Sequence, residues 1–138
     1  MSQQSIDAQR LDHVAIDVGD VARSKDFYGR VLGLREVPRP ESFDFEGAWY
    51  RIGPVDLHIV RRDPPSTGGG RHFCLWVADV RAAARHLQAL GSTVTWDTRY
   101  KIRGVDRFFI HDPDGNRIEI QGTDGTGADR FGPLASPP

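Results

Sequence analysis

The chain has 138 residues, of which 38% are hydrophobic and 27% are charged, and its formal net charge is -1. This length and composition predict a single globular domain that buries its own core. The small charge gives no electrostatic support for binding nucleic acid or an anionic membrane, and no apolar run approaches the roughly 20 residues that span a bilayer. Cys74 is the single cysteine, so a disulfide within the chain is impossible and we expect a reducing, cytoplasmic setting.

The first predicted elements are a strand and a helix. Residues 11–18 alternate apolar and polar side chains in the period of a strand, with His13 on the polar face. Asp20 is placed to cap a helix over residues 21–32, and Gly33 is placed to end it. Three shorter strands are predicted next, at 35–37, 48–52 and 55–60.

The same order of elements then repeats. A strand is predicted at 71–77, followed by a helix over 80–90 that Asp79 caps and Gly91 ends. The sequence Asp-Pro-Asp-Gly-Asn at 112–116 predicts a hairpin turn, because Pro and Gly supply the backbone angles that such turns need. The remaining strands are predicted at 93–97, 107–111 and 117–121. A repeat of this length predicts one βαβββ unit used twice.

The predicted fold class is therefore α+β, with two tandem βαβββ modules. We expect residues 1–9 to be flexible, and the Gly- and Pro-rich segment 123–138 to be a mobile tail or an arm that packs on a partner subunit. The domain between them is predicted to span residues 10–122, divided into a first module at about 10–61, a linker at about 62–70 and a second module at about 71–122.

Four potential metal ligands lie at equivalent places in the two modules: His13, His58, His72 and Glu119. Each lies on the strand face opposite its aliphatic neighbours, so all four point away from the predicted core. Three imidazoles and one carboxylate suit Zn, Ni, Mn, Co or Fe(II), and they suit Ca poorly. The sequence therefore predicts a divalent metal site, against the alternative of hydrogen-bonded structural histidines and a solvated carboxylate.

Three motifs together resemble the glyoxalase / bleomycin-resistance / extradiol dioxygenase superfamily, also called the vicinal oxygen chelate fold. They are LDHVAI at 11–16, the run from 20 to 34 that contains DV, FY and VLGL, and DPDGNRIEI at 112–120. The resemblance implies a cupped mixed sheet around one divalent ion, with the helices on its outer face. It also implies a homodimer, in which the cup can be completed across the subunit interface.

The resemblance also implies roles for the candidate ligands. His13, His72 and Glu119 match ligand positions of the family, whereas His58 stands where glyoxalase I-like enzymes usually carry Glu. The predicted function is a metal-dependent lyase or isomerase that acts on a small oxygen-chelating substrate through a stabilised enolate or oxyanion. Glu119 is predicted to be both a ligand and the general base, because it is the single carboxylate of the four.

Two other functions remain open from the sequence. An Fe(II) extradiol-type dioxygenase would use His13, His72 and Glu119 as a facial triad, and a bleomycin-resistance-like protein would bind a ligand without turnover. Asp17 and Asp56 share the strand face of the histidines and are candidates to orient them. The predicted substrate contacts are Trp76, Arg103 and Arg107, although the two arginines also suit a solvated basic face.

Overall fold

The structure is a computed structural model that describes residues 5–126; residues 1–4 of the predicted flexible N-terminus and 127–138 of the predicted tail lie outside the described residues. The first module contains β1 (His13–Val18), α1 (Val21–Lys25), a π-helical segment (Asp26–Val31), β2 (Arg35–Val37), β3 (Gly47–Ile52) and β4 (Val55–Arg61). The second module contains β5 (His72–Trp76), α2 (Val80–Ala89), β6 (Thr95–Trp96), β7 (Val105–His111) and β8 (Arg117–Thr123).

Each module forms its own four-stranded sheet, in the order β1-β4-β3-β2 and β5-β8-β7-β6. The outer pairs β1–β4 and β5–β8 are parallel and the other neighbours are antiparallel, so both sheets are mixed. The predicted α+β class and the two βαβββ modules are confirmed. Within residues 5–126 the two sheets are separate, and β1 and β5 each lie at a sheet edge.

Both predicted helix caps are present. The side chain of Asp20 accepts a hydrogen bond from the backbone N–H of Arg23 at 3.0 Å, and Asp79 accepts one from Ala82 at 2.9 Å. The first helix differs from the prediction in its second half, where the N–H of Leu32 donates to the carbonyl of Phe27. An apolar pattern does not distinguish such widened turns from an α-helix. Neither helix of the described residues is long and apolar enough to cross a membrane.

The core confirms the faces predicted from strand alternation. Buried aliphatic side chains of both sheets, including Leu57, Ile59, Ile118 and Ile120, belong to one continuous apolar cluster that the helices also line. The side chains between them lie on the other face of each sheet. His58 and Glu119 are consequently held on rigid strands and away from the aliphatic core.

The Asp-Pro-Asp-Gly-Asn segment forms the predicted turn and also joins the two modules. Asp112 accepts hydrogen bonds from the backbone N–H groups of Asp114 and Asn116, which fixes the turn itself. The buried hydroxyl of Tyr28, from the first module, donates to Asp112 at 2.7 Å. The side-chain amide of Asn116 donates to the carbonyl of Asp17 on β1 at 2.8 Å. This turn therefore fixes how one module sits against the other.

Candidate metal centre

In the first module two histidines and a tryptophan form a stack of rings. Trp49 on β3 lies directly opposite His58 on β4 in the antiparallel register. Their ring centroids are 4.0 Å apart with an angle of 4° between the ring planes. His13 on β1 stacks on the other face of His58, at 4.2 Å and 17°. The two faces of His58 are covered, so only the edge of its ring is available to a ligand.

The ring nitrogens of this pair suit metal ligation. Nδ1 of His13 lies 2.9 Å from a carboxylate oxygen of Asp12, which favours a proton on Nδ1 and a lone pair on Nε2. Nε2 of His58 is buried and has no hydrogen-bond partner, since the nearest carboxylate oxygen, on Asp56, is 3.6 Å away. A buried polar atom without a partner is costly, so Nε2 of His58 is a candidate donor to a ligand.

Burial is the main cause that holds the pKa of His58 below its usual value. The neighbouring His13 lowers the pKa further, and the Asp56 carboxylate acts in the opposite direction. Asp56 is itself held by the Arg51 guanidinium at 2.9 Å, which lowers the pKa of Asp56. The neutral imidazole of His58 is therefore favoured, and only the neutral ring carries a lone pair that can ligate a metal.

In the second module the candidate ligands are a histidine and a carboxylate in direct contact. Nε2 of His72 on β5 lies 3.1 Å from Oε2 of Glu119 on β8, and Nδ1 of His72 lies 2.8 Å from the carbonyl of Gly70. Both nitrogens of the ring therefore face oxygen atoms that only accept hydrogen bonds. The ring is satisfied with protons on both nitrogens, or with a proton on Nδ1 and a metal ion at Nε2.

Glu119 is 4% exposed and is held by two donors besides His72. Arg107 donates to its Oε1 at 2.6 Å, and the amide of Gln121 donates to the same atom at 3.0 Å. Burial alone would raise the pKa of Glu119, but the hydrogen bonds from Arg107 and Gln121 and the positive charge of Arg107 outweigh it, and the pKa lies below its usual value. Glu119 is therefore an ionised carboxylate in a largely water-excluded position.

The structure brings the four predicted ligands together as two pairs. His13 pairs with His58, and His72 pairs with Glu119. Among residues 5–126 no group of three or more His, Cys, Asp or Glu side chains is arranged to hold a metal ion. The donor set still fits a divalent metal, because Nδ1 of His13 and His72 each face an oxygen, and Nε2 of His58 has no hydrogen-bond partner. Each pair by itself offers two candidate ligands.

The other residues predicted from the sequence lie in different places. Trp76 is at the end of β5, on the strand face of His72. Arg103 is exposed in the loop before β7, whereas Arg107 is partly buried and binds Glu119 instead of facing solvent. Asp56 lies beside His58 as expected, but Asp17 accepts a hydrogen bond from the backbone of Ser66 at 3.1 Å.

Sequence reasoning missed two neighbours of the candidate ligands. Asp12 orients His13, and Arg107 neutralises Glu119. The second contact had a signal in the sequence: the turn at 112–116 sets the register of β7 and β8, which pairs Arg107 with Gln121. Arg107 and Glu119 then lie diagonally on one face, within reach of a long side chain.

Comparisons with known proteins agree with this fold. A family model described as the Glyoxalase/Bleomycin resistance protein/Dioxygenase superfamily matches residues 10–120. "Glyoxylase I 4" of Arabidopsis thaliana is 30% identical over 80% of this chain and 68% of its own length. The lactoylglutathione lyase of Escherichia coli O157:H7 is 31% identical over 80% of this chain and 90% of its own length.

A solved structure gives the same result. The crystal structure of a glyoxalase family protein from Bacillus anthracis superposes with a TM-score of 0.80 and 27% sequence identity, over 88% of this chain and all of that one. Other relatives are named for different reactions, among them the methylmalonyl-CoA epimerase of Homo sapiens and metapyrocatechase 2 of Cupriavidus necator. Proteins with this fold therefore catalyse several different reactions. The family model and these relatives show that this chain belongs to the glyoxalase/bleomycin resistance protein/dioxygenase superfamily.

Proposed function

We propose that this chain is a metal-dependent lyase or isomerase of the glyoxalase type, which acts on a small substrate that chelates a metal through two oxygens. The observation that carries the proposal is the presence of two half-sites, His13 with His58 and His72 with Glu119, on corresponding strands of two equivalent modules. Ligands on sheet strands are held rigidly, as a catalytic metal site requires.

We further propose that a second copy of the chain completes each site. One chain places its two half-sites apart, and residues 5–126 hold no larger group of ligands. In a symmetric dimer the His13–His58 half of one copy would meet the His72–Glu119 half of the other, giving two equivalent sites. About one divalent ion per chain would then be bound, and Zn, Ni, Mn, Co and Fe(II) all suit the donor set.

A bound divalent ion would supply Lewis-acid stabilisation of an enolate or oxyanion. The chain's own contribution is the proton transfer, for which Glu119 is the proposed general base through Oε2, the oxygen that Arg107 does not hold. Trp49, stacked on His58 and in edge contact with Phe43, forms an aromatic wall beside the first half-site. Trp76 and Arg103 remain proposed substrate contacts.

The test combines elemental analysis, mass in solution and activity. The purified protein is assayed on the hemithioacetal of methylglyoxal and glutathione and on an epimerisable acyl thioester, before and after chelation. We expect a dimer with about one ion per chain, loss of activity on chelation and its return with metal. His72→Ala should lose the ion, and Glu119→Gln should lose turnover. His111→Ala is the matched control, because His111 is exposed on the same sheet and should behave as wild type.

An Fe(II) dioxygenase is the second candidate, because His13, His72 and Glu119 supply the two imidazoles and one carboxylate of a facial triad. Bound iron with oxygen uptake on catechols would select this function over the lyase. Stoichiometric ligand binding without turnover or metal would instead select a non-catalytic, bleomycin-resistance-like protein. A reducing cytoplasmic setting remains the prediction from the single cysteine.

A further inference from the structure

Arg107 is held on three sides in the second module. Its Nη1 donates to Oε1 of Glu119 at 2.6 Å, and its Nη2 donates to Oδ2 of Asp97 at 2.7 Å. The same Nη2 lies 2.9 Å from the carbonyl of Tyr100, in the loop between β6 and β7. The Arg107 side chain is 16% exposed and Glu119 is 6% exposed in its side chain, so little water screens this pair. The contact is a short, charge-assisted hydrogen bond in a largely dry position.

The guanidinium binds one of the two carboxylate oxygens through which Glu119 could hold a metal ion. Glu119 has two carboxylate oxygens, of which Oε2 faces His72 and Oε1 faces Arg107. Its negative charge is already balanced by Arg107, and a divalent ion beside Oε2 would be repelled by the guanidinium that donates to Oε1 of the same carboxylate. A divalent ion and Arg107 therefore compete for one carboxylate.

Asp97 can hold Arg107 when a metal ion binds Glu119. The Asp97 carboxylate also accepts the backbone N–H groups of Arg99 and Tyr100, at 3.0 and 2.9 Å, which fix the start of the loop. The backbone hydrogen bonds from Tyr100 and Arg99, together with the positive charge of Arg107, lower the pKa of Asp97. Asp97 therefore stays ionised and can hold the guanidinium. Arg107 can release Glu119 while Nη2 stays bound to Asp97 and to the Tyr100 carbonyl.

We propose that Arg107 is a built-in competitor of the divalent ion at Glu119 and sets how tightly this chain holds its metal. The inference rests on the proposed function, since it requires the His72–Glu119 half-site to bind a metal. Arg107 is a positioning residue in this role, because it acts on the metal through Glu119. Removing its charge should strengthen metal binding, the opposite of what loss of an ordinary site residue does.

The test measures the affinity of Zn²⁺ alone by calorimetry, without substrate, on the full-length protein. Arg107→Gln should bind Zn²⁺ at least tenfold more tightly than wild type. The Zn²⁺ affinity of Arg107→Lys should lie between the two, because lysine keeps the charge but cannot bind Glu119 and Asp97 through two separate nitrogens. Arg85→Gln is the control for net charge, because Arg85 is exposed on α2, a helix that packs against the core on the sheet face opposite to Glu119. Its affinity should stay within twofold of wild type.

The outcomes separate the two proposals. If wild type binds Zn²⁺ and folded Arg107→Gln and Arg107→Lys bind it equally or more weakly, the competition is refuted while the metal site stands. An equal gain in Arg85→Gln would also refute it, because the effect would then be one of general charge. If none of the four proteins binds Zn²⁺, the proposed function and this inference fail together. Tight binding by Arg107→Gln alone would support both.

Discussion

The contact between Tyr28 and Asp112 should be a large single contribution to the stability of this chain. The Tyr28 hydroxyl donates to Asp112 at 2.7 Å, and both residues are buried at the junction of the two modules. Tyr28→Phe removes the donor and keeps the ring, which packs against Phe27 and Tyr50. The change therefore tests one hydrogen bond between modules with little loss of apolar packing.

The expected loss of stability depends on the hydrogen bonds that Asp112 keeps in Tyr28→Phe. A hydrogen bond to a charged acceptor contributes roughly 1.5–3 kcal/mol, and Asp112 Oδ2 still accepts the Asn116 amide at 2.8 Å after the change. We therefore expect Tyr28→Phe to cost about 1.5 kcal/mol, which corresponds to a fall of about 5 °C in the unfolding midpoint. Asp112→Ala also removes the acceptor of two backbone N–H groups in the turn and should cost about 4 kcal/mol.

The assay is urea unfolding followed by tryptophan fluorescence, with the slope checked for two-state behaviour. Asp26→Asn serves as the control, because Asp26 forms an exposed ion pair with Arg30 one helical turn away, and such pairs contribute little. Its midpoint should match that of wild type. If the free energies of unfolding of Tyr28→Phe and Asp112→Ala both lay within about 0.5 kcal/mol of the wild-type value, the turn would not join the modules as argued.

Two further predictions concern stability. Burial, and after it the charge of Asp112, raises the pKa of Tyr28 far above its usual value. Above about pH 10 the unfolded chain therefore releases the hydroxyl proton while the folded chain keeps it, so the free energy of unfolding falls as the pH rises. Tyr28→Phe should reduce that slope by about 1.4 kcal/mol per pH unit, and equal slopes in alkaline urea titrations would contradict it. Gly47→Ala would drive a methyl group into the carbonyl of Ile59 on β4, whereas a methyl group at Gly70 meets nothing within 4 Å. Gly47→Ala should lower the free energy of unfolding by about 2 kcal/mol and Gly70→Ala should leave it almost unchanged. Equal unfolding midpoints for the two variants would show that β3 does not approach β4 so closely at Gly47.

Strand faces could be predicted from the sequence because the aliphatic side chains of each sheet lie on one face and the polar side chains on the other. Glu119 between Ile118 and Ile120 is the clearest case, since the two isoleucines are fully buried in the core and Glu119 projects from the other face. The length of β6 could not be predicted. A strand at 93–97 is predicted, but β6 is Thr95–Trp96. At its far end the Asp97 side chain accepts the backbone N–H groups of Arg99 and Tyr100, and these hydrogen bonds form a turn instead of a longer strand.

The candidate site was predictable in its residue types but not in its arrangement. Alternation and repeat select His13, His58, His72 and Glu119, because those patterns depend on local geometry alone. Their division into two pairs depends on how the modules pack through Tyr28, Asp112 and the shared core, which no local pattern encodes. The sequence also suggests solvent or substrate as partners for Arg107, since it does not show that Asp97 and Glu119 enclose that side chain.

Two features of the site act on its electrostatics in the same direction. His58 takes the place of a carboxylate that the family resemblance leads one to expect, and Arg107 balances the charge of the remaining one. A shell with less negative charge holds a divalent ion less tightly, and it leaves more of the ion's positive charge to stabilise a substrate oxyanion. If the proposed function holds, weak metal retention and strong oxyanion stabilisation have one cause in this chain. It follows that Arg107→Gln should gain metal affinity and lose turnover at saturating metal, whereas a gain in both would separate the two effects.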